Sequence, residues 1–149
     1  KHTLPPVVEK VEALWRRIAA YEASAILPPL LARVSGYERM EKLIADGGQI
    51  DFAAYREARV MRAQIVAELE TLLAQCDALV LPSAGEVPKF GSMGDAHFLR
   101  PWSLGGFPAI SIPVGTDTEG MPIGMQLVAK RGDDVKLIAL ARWAEAQIA

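Results

Sequence analysis

Cysteine is almost missing from this sequence: Cys76 is the single thiol in 149 residues. That excludes an internal disulfide framework and any cysteine-rich zinc site. Histidine is nearly as scarce, with only His2 and His97, so no histidine-rich metal spacing exists either. An excess of one charge is also lacking. Sixteen Lys+Arg stand against eighteen Asp+Glu, for a net charge of −2, and the cationic surplus on which nucleic-acid binding leans is therefore absent. Long hydrophobic runs are missing too. Stretches such as Ala78-Leu79-Val80-Leu81 are far shorter than the ~20 apolar residues a membrane span requires. The first residues, Lys1-His2-Thr3-Leu4-Pro5-Pro6, form neither a signal peptide nor a methionine start. The expectation is a piece of a longer, cytoplasmic protein that engages neither nucleic acid nor membrane.

What is present describes a globular domain: 51% apolar and 23% charged residues, with mean hydropathy +0.18. At this size folding buries roughly 70% of the unfolded surface. Residues 1–77 hold 21 of the 34 charges but 3 of the 12 glycines; residues 78–149 hold the remainder. The first part therefore reads as helical. Residues 78–132 read as strands, a long loop and a hairpin, and 133–149 as a closing helix.

Val7, Val8, Val11, Leu14, Trp15 and Ile18 follow the spacing of one buried helical stripe, opened by Pro5-Pro6. Pro28-Pro29 interrupts it. A second helical stretch is predicted over about 29–45, weakened at Gly36 and ended by Gly47-Gly48. Asp51 then caps a long helix whose stripe is Tyr55, Ala58, Arg62, Ile65, Leu69, Leu72 and Cys76. Arg62 in that stripe has two readings: a snorkelling side chain, or a buried clamp holding at least two backbone or carboxylate acceptors. Leu79-Val80-Leu81, stopped by Pro82, reads as a strand inside a covered sheet. Residues 83–101 have no periodicity, and so long a connection is usually functional. Ile110, Ile112 and Val114 share one strand face. Met125 and Leu127 share another, with Gln126 opposite. A polar hairpin loop, 115–122, lies between these strands. The last helix carries Val135, Leu137, Ile138, Leu140, Ala141 and Ile148 on its apolar side.

No self-contained active site emerges from these residues. His97 lies near Asp95 and Ser92, but Gly91-Ser92-Met93-Gly94 is not a nucleophile elbow. Gly105-Gly106 is no dinucleotide fingerprint and reads as close backbone packing. No metal or cofactor is called for.

Beyond these readings, Gly47-Gly48-Gln49-Ile50-Asp51 through Arg62, with Cys76-Asp77-Ala78-Leu79-Val80-Leu81-Pro82, resembles the C-terminal third of amidase signature enzymes. So do Pro101-Trp102-Ser103-Leu104-Gly105-Gly106-Phe107-Pro108-Ala109-Ile110-Ser111-Ile112-Pro113-Val114-Gly115 and Gly120-Met121-Pro122-Ile123-Gly124-Met125-Gln126-Leu127-Val128-Ala129, followed by Asp134 and the closing helix. The resemblance implies an α/β fold, a mixed twisted sheet covered by helices on both faces, of which this chain is the C-terminal portion. It implies hydrolysis of carboxamides through a Ser–Ser–Lys triad, with an acyl-enzyme oxyanion held by a glycine/serine-rich loop. No Gly-Gly-Ser-Ser-Gly-like stretch occurs here, so no catalytic residue is assigned to this segment. Lys42, Lys89, Lys130 and Lys136 are not promoted to that role. The same resemblance places Phe98, Leu99, Arg100, Trp102 and Ser103 beside the acyl pocket as substrate-binding candidates. Ser103 replaces a frequent asparagine, and Arg100 is a candidate partner for a substrate carboxylate; sealing the core is the alternative role for Phe98, Leu99 and Trp102. The implied partners are the N-terminal part of the same enzyme and a small-molecule amide, with homo-oligomerisation left open. Two other functions are retained. One is a non-catalytic α/β binding module on the same fold, and the other is a small serine hydrolase using His97.

Overall fold

The computed structural model describes residues 3–31, 33, 36–85 and 94–148. A 3-10 turn (Pro6–Lys10), with Pro5 at its N-cap and Pro6 in its first turn, runs directly into α1 (Val11–Ile26). Val8, Val11, Leu14 and Ile18 of the predicted stripe are buried. Pro28 and Pro29 open the short α2 (Pro28–Leu31). The predicted second stretch is therefore divided: α3 (Glu38–Gly48) starts only after Gly36, whose φ is +85°. Gly47 lies inside α3 rather than beyond it. A Cβ there would lie 1.9 Å from the Ala20 carbonyl oxygen, so glycine is what lets α3 cross α1 this closely.

In α4 (Phe52–Leu73), Asp51 is the N-cap and its carboxylate accepts from the Ala54 N–H at 2.7 Å. This satisfies one of the four donors that a helix start leaves free. Ala58, Ile65, Leu69 and Leu72 are buried as their spacing predicts, while Tyr55 and Arg62 are half-buried.

Three strands follow: β1 (Leu79–Pro82), β2 (Ala109–Thr116) and β3 (Pro122–Val128). They form an antiparallel sheet in the order β1-β3-β2. β2 and β3 are the predicted hairpin. The Asp117 carboxylate accepts from the backbone N–H groups of Glu119 and Met121 in its loop. β1 pairs with β3 alone, and Val80 is 60% exposed. Among the described residues it is thus an edge strand, not the interior one that an apolar run predicts.

Helices cover both faces. Ile110, Ile112, Val114, Met125 and Leu127 pack with Leu137, Ala141 and Ala144 of α6 (Asp134–Ile148). Leu79, Leu81 and Val128 pack on the opposite face with Ile65, Leu69 and Leu73 of α4. That second core also takes in α5 (Arg100–Gly105), a short helix with no periodic signal in the sequence. Pro101 occupies its first turn and Gly106, at φ +71°, ends it in the left-handed conformation. Among the described residues no helix is long and apolar enough to cross a membrane.

Candidate functional site

The sheet face that packs on α4 and α5 is apolar at Leu79, Leu81 and Val128 and turns polar further along. Gln126 stands between Leu81 and Ser111 in the register, and the Ser83 N–H donates to the Gly124 carbonyl at 3.0 Å. Ser83, just beyond β1, and Ser111 of β2 hydrogen-bond through their hydroxyls across Gly124 at 2.5 Å. A Cβ at position 124 would lie 2.8 Å from one hydroxyl oxygen and 3.0 Å from the other, so the pair can meet only over a glycine. Gln126 is 2% exposed, and its side-chain N–H donates to the Phe98 carbonyl at 3.0 Å. A buried amide requires such partners, and this one ties the 97–99 turn down onto the sheet. Gln126 is a positioning residue that sequence reasoning does not single out. Its only signal is an amide facing away from Met125 and Leu127 within an apolar strand.

The turn is also held from its other side. Asp95 accepts from the His97 backbone N–H at 3.0 Å, and the Ala96 carbonyl accepts from the N–H groups of Leu99 and Arg100. The Asp95 carboxylate therefore engages the main chain of His97 rather than its imidazole, whose ring stands edge-on to Phe98 at 5.4 Å. Ser92 and Lys89 lie outside the described residues. Among the described residues the two hydroxyls of the Ser83–Ser111 pair bond to each other, an arrangement that can orient a polar group.

The five candidate substrate residues divide among three environments. Phe98, whose carbonyl Gln126 holds, is half-buried, and Leu99 next to it is 40% exposed. Arg100 and Trp102 have other surroundings. Arg100 forms an ion pair with Glu12 and lies over the Trp15 ring, 5.1 Å from its centroid. Its charge is thus paired to α1 in this chain. Trp102 is 1% exposed and edge-on to Phe107 at 6.1 Å, in the core with Leu104 and Ile65. The reason is helical phase: once 100–105 coils, Trp102 and Arg100 point to opposite sides of Leu99's exposed corner. Ser103 is exposed on a third surface, a cleft of about 310 Å³ between α1, α4 and α5.

That cleft is lined by a hydrogen-bonded chain. Arg59 donates to the Tyr55 hydroxyl at 2.9 Å, and Tyr55 donates to the Glu22 carboxylate at 2.8 Å. The Tyr55 hydrogen bond raises the Arg59 guanidinium above its ordinary pKa, and an arginine is cationic throughout the physiological range in any case. Arg62 lines the same cleft, half-buried, and donates from Nε to the Leu104 carbonyl at 2.6 Å. Of the two readings of Arg62 the clamp is the closer, with one backbone acceptor among the described residues where at least two were expected.

Known proteins share both this sequence and this geometry. A family model, Amidase, matches residues 4–138. One subunit of the glutamyl-tRNA(Gln) amidotransferase of Wolinella succinogenes is 34% identical over 114 residues, covering 66% of this chain and 25% of that protein. The corresponding protein of Rickettsia bellii is 30% identical over 134 residues, 79% of this chain and 27% of that protein. A solved amidase superposes on 99% of the chain with a TM-score of 0.84 at 30% identity, and 37% of that amidase is covered. The allophanate hydrolase of Kluyveromyces lactis shares the fold at TM-score 0.77 and 21% identity. The chain spans about a quarter of the length of the curated relatives it matches. With two thirds or more of its residues matched by the family model and the fold superposing almost throughout, this chain belongs to the amidase family.

Proposed function

We propose that residues 1–149 are the C-terminal part of a single amidase domain that hydrolyses carboxamide C–N bonds through a Ser–Ser–Lys acyl-enzyme mechanism. The catalytic residues are supplied by sequence upstream of this chain. Within it, residues 1–77 are the helical part, 78–132 the strands, long loop and hairpin, and 133–149 the closing helix. The observation that carries this reading is the 0.84 TM-score over 99% of the chain at 30% identity, against 37% of a solved amidase. Phe98 and Leu99, in the turn held by Gln126 beside the Ser83–Ser111 seam, shape the acyl side of the cleft. Arg100 and Trp102 anchor that turn to α1 and to the core, and Ser103 takes the place of the frequent asparagine at the end of the turn. A location in the cytoplasm is part of the same proposal.

The purified chain is assayed alone on butyramide, benzamide, glutamine and p-nitrophenyl acetate. It is then mixed with a related amidase from which the matching C-terminal part has been deleted. The expected result is no turnover by the chain alone and hydrolysis restored in the mixture. Turnover by the chain alone, abolished in His97→Ala, overturns the proposal in favour of a small serine hydrolase. No activity in either arm favours a non-catalytic module on the same fold.

A further inference from the structure

A second concavity, of about 1010 Å³, lies between α1 and α3. Trp15 and Ala20 of α1 form its floor with Leu43 of α3 and Ile50 beyond it. Both walls carry cations: Arg16 and Arg17 from α1, Arg39 and Lys42 from α3, with Arg100 at one end. Most of these charges are already matched. Arg16 and Arg100 share Glu12, and Lys42 pairs with Asp46 at 3.0 Å. Arg17 of α1 and Arg39 of α3, both exposed, make no ion pair or hydrogen bond among the described residues. Glu38 also lines the cleft without a cation partner. It is adjacent to Arg39 in a helix, where neighbouring side chains do not face each other.

Two unmatched guanidinium groups over an apolar floor define a ligand. A guanidinium presents a planar fork of donors that fits a carboxylate in bidentate fashion. A small inorganic anion would use the arginines but leave Trp15, Leu43 and Ile50 in water. A neutral apolar molecule would cover the floor but gain nothing from the two hydrated guanidinium groups. We propose that the α1–α3 cleft is a binding site for an amphipathic carboxylate, with its head between Arg17 and Arg39 and its apolar body on Trp15, Leu43 and Ile50. The volume lies at the upper end of the usual range for small-molecule sites, about 300–1,000 Å³, and accommodates an aryl-alkyl acid with room to spare. None of these residues belongs to the seam, and the inference needs no catalytic residue, so it stands apart from the amidase reading.

The test is calorimetric titration of the intact chain with 4-phenylbutyrate, its neutral amide 4-phenylbutyramide, and acetate. The expected result is saturation by 4-phenylbutyrate at one site per chain, with the amide and acetate each bound at least about tenfold more weakly. Arg17→Gln and Arg39→Gln should each weaken the acid about tenfold while leaving the amide unchanged, with far-ultraviolet circular dichroism as the check on folding. The ligand comparison needs no variant and so survives a misfolded mutant. Equal affinity for acid and amide overturns the proposal. So does undiminished acid binding in a folded Arg17→Gln/Arg39→Gln double variant, or uptake of several acids per chain.

Discussion

Trp102 illustrates what a single residue discloses before its element is known. In a stretch without periodicity an aromatic side chain has no phase, so a pocket wall and a core plug are equally consistent with the sequence. Coiling of residues 100–105 settles the phase and puts the indole at 1% exposure, with its Nε1 lacking an acceptor among the described residues. Truncation should therefore act mainly on stability. Trp102→Ala is expected to lose about 3–5 kcal/mol through lost burial and the cavity left behind. Trp102→Phe should lose less than about 2 kcal/mol, because it removes a buried donor that has no partner along with part of the ring. Urea unfolding midpoints for the two variants check this. A Trp102→Ala midpoint close to that of the parent would return the residue to the pocket wall. Gln126 is the converse case: its alternation is visible in the sequence, but its acceptor, the Phe98 carbonyl 28 positions away, is not.

Among the elements, those specified by local signals are legible and those specified by distant partners are not. Asp51, a 3/4 apolar stripe and no internal proline or glycine are enough to define α4. α5 is six residues long, too short for a periodic stripe, and it persists because Arg62 and Arg100 tie it to α4 and α1. Arg62→Met keeps the packing stem but loses the donor to the Leu104 carbonyl. It is expected to lower stability by about 1–2 kcal/mol, the range for a partly exposed charged hydrogen bond. An effect below about 0.5 kcal/mol, typical of a plain surface change, would make Arg62 a snorkelling side chain after all. A second tie joins the start of α6 to the approach to β1, where Lys136 donates to Asp77 at 2.7 Å. That hydrogen bond holds the Asp77 carboxyl below its ordinary 3.8 and the Lys136 ammonium above its ordinary 10.5. The depressed acid contributes stability above 3.8 and loses it as pH falls through the folded value; the raised base contributes below 10.5 and loses it as pH rises through its own. The deficit of Lys136→Met relative to the parent should therefore be level between those two values and shrink at both extremes. Denaturation at pH 3 and pH 7 checks the acid side, and a deficit that is larger at pH 3 contradicts the assignment.

At the scale of the whole molecule, the apolar surface is distributed in a way no single helix predicts. Sequence spacing gives the closing helix one apolar side, yet α6 has two. Leu137, Ala141 and Ala144 are buried against the sheet, while Val135, Ile138 and Trp143 are 82%, 52% and 64% exposed. At 100° per residue, positions 135, 136, 138, 139, 142, 143 and 146 fall on the outward half of the helix, with Lys136 and Arg142 as the charges among them. Val80, on the edge strand β1, adds a fourth exposed apolar side chain. Scattered exposed apolar residues are ordinary, but several on one helix face, together with a strand that among the described residues pairs on one side only, favour association. The chain on its own is thus expected to associate as its concentration rises and to bind a hydrophobic dye while fully folded. Val135→Lys with Trp143→Lys should suppress both, because the two charges break the patch without touching Leu137, Ala141 or Ala144. The double variant should keep the parent's unfolding midpoint within about 0.5 kcal/mol, since surface substitutions away from packed contacts seldom cost more. Sedimentation velocity over a wide concentration range, with dye fluorescence on the same samples, separates the outcomes. A parent that stays monomeric and dark at the highest concentration would mean that the outward face of α6 is tolerated in water as it stands. Association that persists in the double variant would move the contact to the open edges of β1 and β2.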